Sequence, residues 1–238
     1  MRLRLTIEYD GTPFRGWAAQ PGLPTVEGSL RDALAATFAS YDALAVGGRT
    51  DAGVHALAQV ASVDVEGGPP AWRAAAALNT HLPEEISVVE AVEAPAGFHA
   101  RHSARSRSYR YRILNRRARS PFEEHRSWWI SRTLDEEQLA RAAALLPGTH
   151  DFRAFTPTVT QHKVFLRTVE RAEWIRRGDH LDFEITAGSY LRHMVRALVG
   201  TMLELEPEQI APLLEGRERH ESGQTAPAHG LYLVSIAY

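Results

Sequence analysis

The amino-acid sequence predicts an α+β protein built from two tandem ferredoxin-like βαββαβ units. Two observations support this fold class. The chain has 238 residues, which is enough for one large core or two joined ones. Apolar residues recur with strand and helix periods in the order βαββαβ, once in residues 1–97 and again in residues 98–238. Such units form antiparallel sheets with helices on one face, so we expect one extended, mostly antiparallel sheet with an open face.

The first half begins with a strand over residues 2–9, where apolar and polar side chains alternate. A helix is predicted after Thr25, which is a suitable N-cap, because Val26, Leu30, Leu34 and Phe38 share one helical face. The remaining elements are, in order, a strand ending near Val46, a strand near 57–65, a helix over 71–78 and a strand over 86–92.

The second half begins with an arginine-rich strand over residues 106–114. A helix is predicted to open at Thr133-Leu134-Asp135-Glu136, which has capping-box spacing. The remaining elements are, in order, strands over 168–176 and 180–185 joined at Gly178-Asp179, a helix over 189–205 and a strand over 231–237.

Composition excludes several kinds of site. The chain has no cysteine, which excludes disulfides, thiolate metal sites and cysteine nucleophiles and agrees with a reducing, cytoplasmic setting. The histidines show no metal-ligand spacing, so we expect no metal. The N-terminus alternates like a strand and lacks the apolar region of a signal peptide, and no stretch is long enough to cross a membrane.

Positive charge is concentrated in one segment, although the net charge of the chain is only -2. Residues 101–132 contain ten arginines and two glutamates, a local balance of 10 - 2 = +8. The strand in this segment has two faces: Arg107, Tyr109, Tyr111 and Ile113 on one, Arg110 and Arg112 on the other. Arginine contacts phosphate and tyrosine stacks on bases, so this pattern favours RNA. The alternative is an edge strand whose charges prevent aggregation.

The run from Gly48 to Ala56 sets Asp51 two residues after Arg49 in a loop bracketed by glycines. Predicted strands on both sides would anchor the loop, so we expect Asp51 to lie exposed on rigid support. The alternative is a turn in which the aspartate bonds its own backbone.

The predicted helix over 189–205 has an apolar stripe flanked by Arg192 and Arg196. An arginine at the border of a buried stripe can keep a catalytic carboxylate ionised. The alternative is a solvated arginine whose stem packs on the helix.

The string Gly48-Arg49-Thr50-Asp51-Ala52-Gly53-Val54-His55-Ala56 closely resembles the signature of the tRNA pseudouridine synthases that act on the anticodon arm, the A or type I family. Further segments resemble the same family: Tyr9-Asp10-Gly11-Thr12 with Gly16-Trp17, Thr25-Val26-Glu27-Gly28-Ser29-Leu30, Phe98-His99-Ala100-Arg101 with Tyr109, His193-Met194-Val195-Arg196 with Gly200, and Ala226-Pro227 with Gly230-Leu231. The sequence departs from the family at Ala18, where glutamine is usual, and at Tyr190, where phenylalanine is more common.

The resemblance implies the pseudouridine synthase fold and conversion of uridine to pseudouridine at tRNA positions 38, 39 and 40. It implies that Asp51 is the nucleophile, Tyr109 stacks on the target base, Arg196 partners the aspartate and Arg49 helps to flip the nucleotide. We add Arg107 and Arg110 as predicted substrate-binding residues from the basic strand. The family resemblance also implies a homodimer that binds tRNA without a metal or redox cofactor.

Two other functions remain open at this point. A non-catalytic RNA-binding module would use the same basic strand and open sheet but would not need Asp51. A metal-dependent phosphodiesterase would lose activity with a chelator. The sequence also does not decide whether Asp51 attacks C1′ of the ribose or C6 of uracil.

Overall fold

A computed structural model describes residues 1–238. The elements are, in order, β1 (Arg2–Tyr9), α1 (Val26–Thr37), β2 (Ser40–Val46), β3 (His55–Glu66), α2 (Ala71–Asn79), β4 (Ile86–Glu93), β5 (Ser106–Asn115), β6 (Trp128–Ile130), α3 (Glu136–Ala144), β7 (Gly148–Asp151), β8 (Leu166–Arg177), β9 (His180–Ala187), α4 (Met194–Glu204), α5 (Pro207–Ile210) and β10 (Leu231–Ala237). The predicted α+β class is confirmed, and within each half the predicted helices and strands occur in the predicted order. None of the helices has both the length and the apolar composition needed to span a membrane.

The chain packs as two compact units, residues 1–105 with 232–238 and residues 106–231. These units differ from the predicted halves, 1–97 and 98–238, in two segments, because the predicted halves follow element order and the units follow packing. Ala100 N donates to Ser62 Oγ (3.1 Å), and Arg105 N donates to Ala237 O (2.8 Å), so residues 98–105 and the last strand pack with the first unit. The division into a half over residues 1–97 and a half over residues 98–238 remains a prediction from element order.

In the first unit, β1 lies between β4 and β3, and both pairings are antiparallel. Alternation buries Leu3, Leu5 and Ile7 completely on one face of β1, as the sequence predicted. The helices contribute their own buried residues to this core, Leu30 and Leu34 from α1 and Leu78 from α2 among them. The Thr25 side chain accepts a hydrogen bond from Gly28 N, so the predicted N-cap is also confirmed.

One edge of β3 is shared by two strands. Strand β2 pairs antiparallel with the C-terminal part of β3, from Ser40↔Glu66 to Val46↔Ala61. Strand β10 pairs parallel with its first residues, Tyr232↔His55 and Leu233↔Ala56. The loop over 47–54 therefore leaves the sheet where β2 ends and returns where β3 meets β10.

In the second unit, the strand order is β5-β9-β8-β7, with β6 parallel to β5. Alternation places Tyr109, Tyr111 and Ile113 on one face of β5, as predicted, but this face packs in the core, and Tyr111 is completely buried instead of being open to bases. The facing residues on β9 are Ile185, Phe183 and Leu181, and all three are buried. Helices α3 and α4 contribute the rest of this core, Leu139, Met194, Leu198 and Met202 among them.

Two helices in this unit begin later than the sequence predicted. Helix α4 begins at Met194 instead of residue 189, because His193 adopts a left-handed conformation (φ 62°) and precedes the helix as its N-cap. Helix α3 is capped by Asp135, whose side chain accepts from Gln138 N, instead of by Thr133. Leu191 is still buried, so the apolar stripe continues beyond the helix that it predicted.

Candidate active site

The loop that carries Asp51 is fixed at its start by Gln59, a fully buried residue of β3. The Gln59 side chain donates to Gly48 O (2.6 Å) and accepts from Gly48 N (3.3 Å). Both backbone groups of Gly48 are thus satisfied by one amide side chain. Because a buried amide is costly to leave unpaired, this pair of hydrogen bonds holds the beginning of the loop against the sheet.

Thr50, the residue before Asp51, is held on two sides. Its hydroxyl lies 2.7 Å from the hydroxyl of Tyr9, at the end of β1, and both side chains are buried. Its carbonyl oxygen accepts from Trp17 N (3.0 Å). The backbone just before Asp51 is therefore tied to β1 and to the loop over residues 10–24.

Asp51 itself is half-buried, and Arg49 is exposed. Val54 N donates to Asp51 O (3.1 Å), closing a turn in which Gly53 has φ 75°. This conformation favours glycine, as the bracketing glycines predicted. The structure thus brings Arg49, Thr50 and Asp51 together in the first unit, with the carboxylate on a supported turn.

His55 is a residue of this site that sequence reasoning did not single out. It is 3% exposed, and its ring stacks on Tyr232 with centroids 4.6 Å apart. The only signal in the sequence was its position inside the string from Gly48 to Ala56 that resembles the family signature, since a lone histidine at the start of a strand has no distinctive spacing.

Tyr109 lies in the second unit, on the buried face of β5. Its ring meets the Tyr190 ring edge to face, with centroids 4.9 Å apart. The Tyr190 hydroxyl lies 3.0 Å from two backbone acceptors, Arg107 O on β5 and Ile185 O on β9. Burial raises the pKa of Tyr190 well above its usual value, so this hydroxyl remains a donor. Tyr190, which departs from the family pattern, is therefore anchored beside Tyr109 through its own hydroxyl group.

Arg196 lies in the first turn of α4 and is half-buried. Its Nε donates to Ala226 O (2.8 Å), and Ala226 N donates back to Arg196 O (3.0 Å). These two bonds fix the side chain relative to the segment before β10. Arg192 precedes the helix, in the turn before His193, so of the two arginines predicted to flank the apolar stripe only Arg196 lies in the helix.

The basic strand is partly neutralised within the second unit. Arg110 contacts Glu184 on the neighbouring strand (3.0 Å), and Arg112 lies 3.9 Å from Asp182. Arg107 instead donates to Gly188 O (2.7 Å). The local excess of positive charge along the sequence is therefore reduced on this face by acidic residues from another strand.

The site residues can be grouped by unit. The first unit holds Arg49 and Asp51, and the second holds Tyr109, Arg107, Arg110 and Arg196. No group of three or more His, Asp or Glu side chains anywhere in residues 1–238 has the arrangement of metal ligands.

Comparison with known proteins identifies the family. A sequence model described as tRNA pseudouridine synthase matches residues 142–238. Over the whole chain, the protein is 42% identical to tRNA pseudouridine synthase A of Paramagnetospirillum magneticum and of Caulobacter vibrioides, covering 95% and 98% of those proteins. It is 40% identical to tRNA pseudouridine synthase A of Bacillus subtilis, again over the whole chain and covering 99% of that protein.

Among solved structures, a chain of a Cbf5-Nop10-Gar1 complex is similar over 97% of this chain and 48% of that one, with 13% identity and a TM-score of 0.42. That similarity is too low to add to the assignment. The full-length relatives decide it, because they align with both units, including the Asp51 loop. The chain belongs to the tRNA pseudouridine synthase A family.

Proposed function

We propose that the protein converts uridine to pseudouridine in the anticodon stem-loop of tRNA, with Asp51 as the nucleophile. The observation that carries this proposal is that hydrogen bonds to neighbouring elements hold the residue immediately before Asp51. The preceding residue, Thr50, bonds Tyr9 through its side chain and Trp17 through its backbone, while Asp51 as a residue is half-buried. A nucleophile held this way reaches a bound nucleotide without a further ordering cost.

The reaction is an isomerisation and consumes no co-reactant. The bond between N1 of uracil and C1′ of ribose breaks, and a bond between C5 and C1′ forms. The C5 proton leaves, and N1 ends with a proton. Asp51 starts either route, by attack on C1′ or on C6, so both routes require an ionised carboxylate at the same place.

The target base must leave the helical stack before Asp51 can reach it. Extruding a stacked base costs a few kcal/mol, least at helix ends and loops. We assign Arg49 to the space that the base vacates, because it is exposed two residues before Asp51. Its guanidinium can also contact phosphate.

The family resemblance assigns the remaining roles in the proposed chemistry to two residues of the second unit. Tyr109 stacks on the displaced uracil, and Arg196 pairs with the catalytic carboxylate. The anchoring of Tyr190 beside Tyr109 and of Arg196 on Ala226 supports these roles, since each side chain is held in one orientation. Arg107 and Arg110 are proposed to contact the tRNA backbone.

The proposed enzyme acts as a cytoplasmic homodimer. This state rests on the family resemblance, and light scattering of the purified protein tests it. A dimer has twice the 26.5 kDa mass of the chain.

The decisive experiment measures tritium release from tRNA labelled at C5 of uridine, beside a filter-binding titration. We expect Asp51→Asn to abolish release and to keep tRNA affinity, because the amide has nearly the same shape without the nucleophilic oxygen. Asp32→Asn, at an exposed position of α1, is the matched control. Turnover by Asp51→Asn at the wild-type rate would leave Asp51 as a turn residue. Absence of tritium release by the wild type would instead favour a non-catalytic RNA-binding module.

A further inference from the structure

We propose that the neutral imidazole of His55 positions the loop that carries Asp51, by accepting a hydrogen bond from the backbone N–H of Gly11. The inference rests on the proposed role of Asp51 and adds a positioning residue to it. All the groups involved lie in the first unit.

The His55 ring is fixed in place by its neighbours. His55 is the first residue of β3, where it pairs with Tyr232 of β10. The two rings stack at an interplanar angle of 23°. With 3% of the residue exposed, the ring cannot turn toward solvent, so Nδ1 has a defined position.

Nδ1 of His55 meets the backbone of Gly11 in the interior. Gly11 N lies 3.0 Å from Nδ1 and is buried. The contact between the two segments is close, since a Cβ on Gly11 would lie 2.0 Å from Val54 O. Only glycine allows this approach. A buried N–H without an acceptor is unfavourable, so loss of Nδ1 would push Gly11 away from Val54.

The segment over residues 11–17 touches the catalytic loop at two places. Gly11 packs on Val54, whose N–H donates to Asp51 O (3.1 Å). Trp17 N donates to Thr50 O (3.0 Å) on the other side of Asp51. A shift of this segment therefore moves Thr50 and Val54, which lie on either side of Asp51 in the loop. Misplacing a catalytic group by about 1 Å can slow a reaction about 100-fold.

The bond also specifies the protonation state of His55. Asp10 Oδ1 lies 3.2 Å from Nδ1 but already accepts from the backbone N–H (3.0 Å) and the hydroxyl of Thr12. A protonated Nδ1 would donate to Asp10 and leave Gly11 without an acceptor. The arrangement that holds Gly11 therefore requires a neutral ring with the proton on Nε2.

Two substitutions separate the acceptor from the ring. His55→Asn keeps an acceptor oxygen near the position of Nδ1 and loses the ring, and His55→Phe keeps a ring to stack on Tyr232 and loses the acceptor. We expect His55→Phe to slow single-turnover isomerisation about 10- to 100-fold with little change in tRNA affinity. We expect His55→Asn to recover most of the wild-type rate. His55→Gln places its amide near Nε2 instead, so it replaces the Phe variant if that protein does not fold.

A third arm tests the alternative ion pair. Asp10→Asn keeps an oxygen for Thr12 and removes the charge that would attract a protonated ring, so we expect a near-wild-type rate. The proposal is overturned if His55→Asn is as slow as His55→Phe, if His55→Phe keeps the wild-type rate, or if Asp10→Asn is as slow as His55→Phe. Asp51→Asn tests the proposed function separately, because its outcome does not depend on any comparison among the His55 variants.

Discussion

The hydroxyl groups of Tyr9 and Thr50 lie 2.7 Å apart in the interior of the first unit, immediately before Asp51. Burial raises the pKa of Tyr9 to about 12. The neutral phenol is thus the form that the folded protein holds, and the hydroxyl contact that fixes Thr50 persists through the neutral pH range.

Tyr9 leads to a prediction about stability at high pH. The pKa of Tyr9 is higher in the folded protein than in the unfolded chain. The stabilisation that its protonated form contributes is therefore complete below pH 10 and is lost as the pH rises toward 12. Two pKa units correspond to about 3 kcal/mol. Urea unfolding of wild type and Tyr9→Phe between pH 9 and 12 measures this, and the wild type should lose more stability than the variant over that range. Equal losses would contradict the prediction. The comparison is needed because burial also raises the pKa of Tyr111 and Tyr190.

If Arg196 pairs with the Asp51 carboxylate as proposed, Arg196→Met should slow turnover and move the acid limb of the pH–rate profile to higher pH, because loss of a neighbouring cation favours the protonated carboxyl. Arg196→Lys keeps the charge but loses the Nε bond to Ala226, so it should slow turnover with a smaller pH shift. Arg192→Met, at an exposed position before the helix, is the control. A wild-type pH profile for Arg196→Met would mean that the arginine is only structural.

Arg110 and Glu184 allow a test of phosphate binding by the basic strand. If Arg110 contacts tRNA phosphate, Arg110→Gln weakens binding to all tRNAs and reduces the log–log salt slope by about 0.7 to 0.9. The single change also leaves Glu184 without one of its partners. Arg110→Gln combined with Glu184→Gln removes that complication, and we expect the reduced slope to persist. A wild-type slope in the double variant would mean that Arg110 pairs with acidic residues of β9 and does not contact phosphate.

Tyr109 should affect rate without affecting salt dependence. Stacking on a base stabilises by about 1 to 3 kcal/mol, so Tyr109→Leu should slow single turnover about 10- to 100-fold at an unchanged salt slope. Tyr109→Phe keeps the ring and should retain most of the rate. Tyr190→Phe, which loses the hydroxyl that bonds Arg107 O and Ile185 O, separates orientation of Tyr109 from stacking itself. A fully active Tyr109→Leu would exclude the ring from the chemistry.

Local pattern was enough to predict most elements and several of their details. The N-cap at Thr25 and the shared face of Tyr109, Tyr111 and Ile113 both depend on neighbours within a few residues. The start of α4 could not be predicted in this way. Leu191 keeps the helical period although it precedes the helix, and the left-handed conformation of His193 leaves no trace in the spacing of apolar residues.

Long-range partners were also beyond the sequence. Arg110 and Glu184 are 74 residues apart, and their contact follows from the register between β5 and β9. The role of His55 depends equally on Gly11, 44 residues earlier. Such contacts require the strand order, which the periodicity of each strand alone does not contain.

The first unit combines two segments that are far apart along the chain, and this has a consequence for its synthesis. Residues 1–105 are made before residues 106–231, whereas the β10 residues that pair with the start of β3 are made after them. Tyr232 can therefore stack on His55 only after the residues of the second unit have been made. Domains made first usually fold first. Here the unit that bears Asp51 is completed only after the second unit has been synthesised, so the Asp51 loop lacks one of its supports during that interval.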